Sequence, residues 1–325
     1  MLSYRKLAMR VLGRPLNTGG GINSPRPASQ RAAALVLTAA MLTTLTAPAF
    51  AGTWYIEDGD ITISAGESGN NVTQNENTTV NDHDTIITNR EEGASSHTVT
   101  IDAKDKDDKV EVTLKDVNID ASSRSEAAVS VTGKGDTTIE LDGDNELKSG
   151  GYNAGLEKNE HESKGTLTIK DDKGKDGSLT AEGGFGGAGI GGGKNSSGET
   201  KVNITGGKVN ASTGYGNGGA GIGSGKESSG ATNIEITGDA LVSAGSSGGA
   251  AIGSGKSSTG ETTINIHDTT AGKGVKSAFA YIGAGIGSGH YAKGKTYVTI
   301  SNASVSTLET PAASTNTSGA GIGTG

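Results

Sequence analysis

The phrase "GGAGIGGGK" at residues 186–194 returns as "GGAGIGSGK" at 218–226 and "GGAAIGSGK" at 248–256, then as "GAGIGSGH" at 283–290 and "GAGIGTG" at 319–325. A phrase that recurs at a fixed period is architecture before it is chemistry. Its isoleucine marks the period at Ile190, Ile222, Ile252, Ile286 and Ile322. Fourteen residues after each of the first four markers stands Ile204, Ile236, Ile266 or Ile300, and two residues earlier Val202, Ile234, Ile264 or Val298. These segments alternate apolar and polar residues with period two, so each predicts a strand with one buried face. A second short strand follows in "KVNAS", "ALVSA" and "ASVST".

In "GAGIG" the alanine and isoleucine share one face, which leaves the glycines to the other, outward face. Three short strands per period, no helical periodicity and turn-rich connectors such as "GKESSGA" predict an all-β chain, a single-stranded parallel β-helix (β-solenoid) with coils of roughly 30 residues. Strands this short bury their apolar face only by stacking, so the aliphatic columns must pile up from coil to coil. The pattern persists upstream in weaker form. Leu156 of "NAGLEKN" stands in the marker position, and "TLTIKDD" and "GSLTAEGG" supply strands.

Residues 1–51 carry six Lys/Arg and no acid, then the apolar run "AAALVLTAAMLTTLTAP" and Ala49-Phe50-Ala51. A basic stretch, an apolar stretch and a small-x-small site describe a secretory signal peptide cleaved after Ala51. The run has 17 residues, short of the roughly 20 that span a bilayer. The expected organisation is therefore 1–51 signal, 52–98 N-terminal cap and first strands, 99–185 degenerate coils and 186–325 regular coils. The last of these stops inside a coil, as a fragment of a longer protein would.

Without the signal, 22 Lys/Arg face 36 Asp/Glu, a net charge of −14. An acidic chain with only Arg90 and Arg124 beyond the signal lacks the clustered cations that phosphate backbones require, so no nucleic-acid partner is expected. With no cysteine, an exported chain must hold itself together by backbone pairing and packing. The single proline after residue 51, Pro311, suits a long hydrogen-bond ladder.

The opening "GTWYIEDGDITIS", "VTLKDVNIDAS" with "AAVSV", "IELDGDNELKSG" and the "GGAGIGGG"/"VNITGGKVNAS" repeats resemble a group of large exported, glycine-rich β-solenoid proteins of gut-type Gram-positive bacteria. That group is often labelled carbohydrate-binding-domain-containing or adhesin-like, and the likeness covers 52–325. It implies a β-helical surface protein that binds carbohydrate, and it transfers no site residue.

Gly255-Lys256-Ser257 matches the end of a phosphate-binding loop, but Ala250 stands where that loop needs glycine and no helix is expected after it, so no nucleotide is assigned. The acidic runs 102–108 and 142–146 lack the ordered ligand spacing of a calcium loop, and the five histidines share no metal-ligand spacing. No metal or cofactor is assigned. Aligned outward positions put no two acids on adjacent coils, so a lyase or hydrolase ranks third among the functions. One column remains: Tyr152, Phe185, Tyr215 and Tyr281 each lie four to seven residues before a marker, with Ser246 and Ser247 breaking the series. Stacked, they form an edge of rings suited to sugar faces, or an aromatic ladder that stabilises a corner. The leading expectation is a non-enzymatic, exported cell-surface adhesin whose candidate glycan-binding residues are these four. The alternative is a passive spacer.

Overall fold

A computed structural model describes residues 52–158, 164–174, 176–214, 218–308 and 319–325. The expected signal segment with its cleavage site, and Tyr215, lie outside the described residues. The chain winds into a parallel β-solenoid of about eight turns, each about 32 residues long. Three sheets run along it: sheet A of eleven strands, which carries the glycine motif, sheet B of nine and sheet C of seven. Among the described residues the one departure from strand and turn is a short 3-10 turn at Ile56–Asp58. No helix among them is long and apolar enough to cross a membrane.

The aliphatic columns stack in register. In sheet A the column runs Ile61, Val99, Val129, Leu156, Ile190, Ile222, Ile252, Ile286 and Ile322. In sheet B it runs Val112, Ile139, Ile169, Ile204, Ile236, Ile266 and Ile300. Leu156 thus takes the marker position that its spacing indicated. Ile204, Ile236 and Ile266 are fully buried. Ile300 keeps the register but is 38% exposed, because its strand, Thr296–Ser301, is the outermost of sheet B and has a neighbour on one side only. The facing column in sheet C shrinks from Ile119 and Leu147 to Ala181, Ala211, Ala244 and Ala278.

Those alanines explain the glycines, and here the structure corrects the outward-facing expectation. Gly189, Gly191, Gly221 and Gly223 are buried. A Cβ on Gly189 would lie 2.6 Å from the Ser212 amide nitrogen, and one on Gly221 2.9 Å from that of Gly245. The backbone of sheet A lies against the backbone of sheet C, an approach that only glycine permits. Gly191, Gly223, Gly253 and Gly287 have φ between +127° and +139°, and a methyl there would strike the carbonyl oxygen of the glycine one turn on. The glycine face is an inner seam and offers no flat strip to a ligand.

The serines that close the later motifs also point inward. Ser224, Ser254 and Ser288 are buried one turn above another; Ser224 Oγ accepts from Gly255 N–H at 2.9 Å, and Ser254 Oγ from Gly289 N–H at 3.0 Å. Ser224 Oγ also lies 3.1 Å from Ser258 Oγ, which donates to the Ser228 carbonyl. The Ser224 and Ser254 hydroxyls each satisfy a corner amide that would otherwise be stranded without water.

At the N-terminal end Ile61–Ala65 pairs parallel with Val99–Ala103 and, on its other side, antiparallel with Asn70–Gln74, which pairs with Asn77–Asp82. The buried Asp82 carboxylate fixes this hairpin by accepting from Trp54 Nε1 at 3.0 Å and Gly52 N–H at 2.8 Å. Val72 of the antiparallel pair is buried in the core and Trp54 packs against it, so the pair covers the first rung of sheet A.

Candidate functional site

Two surface corners meet along one edge of the solenoid. One precedes the sheet A motif and holds Tyr152, Phe185 and Tyr281; the other follows it and holds Lys194, Lys226, Lys256 and His290. Backbone bonds join them across turns. The Lys194 amide donates to the Tyr152 carbonyl at 2.8 Å, Lys226 to Gly186 and Lys256 to Gly218 at 2.7 Å each, and His290 to Gly248 at 3.0 Å. Every lysine therefore stands beside the pre-motif corner of the preceding turn, which for Lys194 and Lys226 holds Tyr152 and Phe185.

The residue after each lysine turns the chain. Asn195, Glu227, Ser257 and Tyr291 have φ between +58° and +62°, so one left-handed position repeats over four turns. The side chain before it is thereby directed over the neighbouring corner. Lys194 Nζ lies 4.7 Å from the Tyr152 ring centroid and 5.7 Å from that of Phe185, Lys226 Nζ 5.8 Å from Phe185, and Lys256 Nζ 5.9 Å from Tyr291. Cation–π attraction at these distances is modest, about 0.5–1 kcal/mol where exposed. The Tyr152 and Phe185 rings meet edge to face at 6.0 Å, and His290 stacks on Tyr291 at 3.7 Å. Burial, then the neighbouring Lys256 charge, hold the His290 pKa below the ordinary histidine value.

Of the residues expected to form the aromatic edge, Tyr152 and Phe185 touch, and Tyr281 stands on the same corner three turns along, its amide bonded to the Ser246 carbonyl at 2.9 Å. All three rings are between 46% and 59% exposed, and Tyr291, which sequence reasoning passed over, is 67% exposed. The serine gap is structural: Ser246 is buried and its hydroxyl donates to the Gly219 carbonyl at 2.6 Å. The basic column was missed too. Its signal was present in the fixed offset of Lys194, Lys226, Lys256 and His290 from the marker isoleucines, obscured by the resemblance of "GSGKS" to a phosphate loop. In the structure Ser257 is the left-handed corner residue, and the strand Thr262–Thr269 follows it in place of a helix.

A second concavity lies on the outer face of sheet C, a groove of about 460 Å³ whose floor holds Asp144, Glu146, Thr180 and Asn210 beneath Glu91 and Glu92. Asp144 accepts from the Ser178 hydroxyl at 2.6 Å. Among the described residues no group of three or more His, Asp or Glu is placed to hold a metal ion. Both arginines beyond residue 51 are engaged: Arg90 forks onto Asp58 at 3.0 Å, and Arg124 onto Asp60 with Glu126 at 2.7 Å. No family model, curated protein or solved structure matches the chain. The site rests on its own geometry.

Proposed function

We propose that this chain is an exported, cell-surface β-solenoid that binds carbohydrate along the aromatic edge and carries out no reaction of its own. The observation that supports the reading is the set of exposed rings along the edge where the two corners meet, Tyr152, Phe185 and Tyr281 on one corner and Tyr291 on the other, in a chain with only 3% aromatic residues. Hydrophobic rings left in water in so aromatic-poor a chain fit sugar faces, which present C–H patches between hydroxyls. Export rests on the layout of residues 1–51, a basic stretch, an apolar stretch and a small-x-small site. The pairing of Arg90 and Arg124 with acids leaves neither arginine free for the proton abstraction a lyase needs.

Glycan-array binding by the full chain tests the proposal. Binding that falls about tenfold or more in Phe185→Ala, Tyr215→Ala and Tyr281→Ala, each with unchanged thermal midpoint, supports it. Absence of binding to any glycan leaves the passive spacer. Release of oligosaccharide from a bound polymer would overturn the non-catalytic part.

A further inference from the structure

The lysines give the aromatic edge a chemical preference that the rings alone do not have. Three ammonium groups, Lys194, Lys226 and Lys256, follow one another on successive turns, and rungs of a parallel stack lie about 4.8 Å apart. Among the described residues the carboxylate within ion-pair reach of them is that of Glu227, 3.2 Å from Lys226 and 3.9 Å from Lys194. Lys256 has no carboxylate partner among the described residues and stands over the Tyr291 ring. The edge is thus locally basic on a chain whose net charge is −8.

The lysine stems are ordered before any ligand arrives. Lys194 Cδ lies 3.0 Å from where a Cβ on Gly186 would be, Lys256 Cβ 3.3 Å from that point on Gly218, and Lys256 Cδ 3.5 Å from it on Gly248. The methylenes pack against bare glycine backbone, so the side chains of Lys194 and Lys226 are only 17% and 22% exposed. Side chains already packed lose little rotamer freedom on binding, so more of each contact energy survives as affinity.

We propose that the edge binds an acidic polysaccharide, one carrying carboxylate groups, laid along the solenoid axis with sugar faces on Phe185 and the tyrosines and carboxylates on Lys194, Lys226 and Lys256. The inference rests on the carbohydrate reading above and adds the charge class of the polymer. An acidic peptide would offer the same carboxylates but not the repeated apolar ring faces.

The experiment is affinity electrophoresis of the full chain in gels containing either polygalacturonate or the same polymer after carboxyl reduction to a neutral galactan. Preferential retardation by polygalacturonate, weakening as salt is raised, is the expected result. Lys226→Gln/Lys256→Gln should weaken that retardation about tenfold or more, while Lys226→Arg/Lys256→Arg stays within about threefold of wild type. Equal retardation by both polymers, abolished by Phe185→Ala, would overturn the charge preference and leave the carbohydrate reading standing. Retardation by neither would overturn both. Should the glutamine variant fail to fold, the comparison of the two polymers on the wild-type chain still decides the matter.

Discussion

Gly223 and Ser257 occupy equally regular columns under opposite backbone rules. Gly223 has φ +136° and faces the carbonyl of Gly253, a conformation in which any side chain is strained. Gly223→Ala should lower stability by about 1–3 kcal/mol, read as a reduced urea midpoint. Ser257 sits at φ +58°, where a Cβ already costs something, so Ser257→Gly should be neutral or stabilising by up to about 1 kcal/mol in the same measurement. The glycine column was legible because glycine recurs there in every repeat. The left-handed column was not: asparagine is common in that conformation, but Glu227, Ser257 and Tyr291 carry no such signal. Backbone bonds to the next turn hold them there, including Glu227 N–H to Lys256 O and Ser257 N–H to His290 O.

At the scale of the strand, the outer face of sheet B tolerates mixed polar residues and has gathered ionic clusters, Lys170 with Glu111, Glu140 and Asp172 at one level and His267 with Asp268 and Glu235 at another. His267 lies 3.0 Å from Asp268 and 2.9 Å from Glu235 on the neighbouring strand. Its pKa is raised by the Asp268 hydrogen bond first and the Glu235 bond second. A histidine held above its unfolded value stabilises the fold fully below about pH 6.5, and that contribution is lost as pH rises through the raised value. The thermal midpoint of the wild type should therefore fall, relative to His267→Gln, as pH is taken from about 6 to 8. Equal pH profiles for the two proteins would show that the cluster does nothing for stability. The inward faces of these strands were readable from alternation alone, Val202 with Ile204 and Ile264 with Ile266. The inward serines were not. Ser224 and Ser254 stand among glycines and near lysines, the composition of any surface turn, and only the stacking of corners turns them into a buried hydroxyl seam.

Across the whole molecule each turn touches its two neighbours and little else, so stability is close to a sum of turn and interface terms. Ile236→Ala should cost about 2–5 kcal/mol, and the loss should stay local. Amide exchange should speed up in Thr232–Gly238 and the adjoining turns while Val99–Ala103 keeps its protection. Uniform loss of protection would mean that the solenoid unfolds as one unit. The linear order of residues was enough to establish the period, the three strands per turn and the stacked aliphatic columns, because in a solenoid a local alternation repeated at constant spacing becomes a three-dimensional column without further information. It did not establish which corners meet. The seating of Lys194 over Tyr152, and the burial of glycines read as outward-facing, depend on the angle at each corner and on how closely sheet A approaches the alanines of sheet C. Those quantities arise from side-chain volumes on different strands, and they take a value only when the turns are closed against one another.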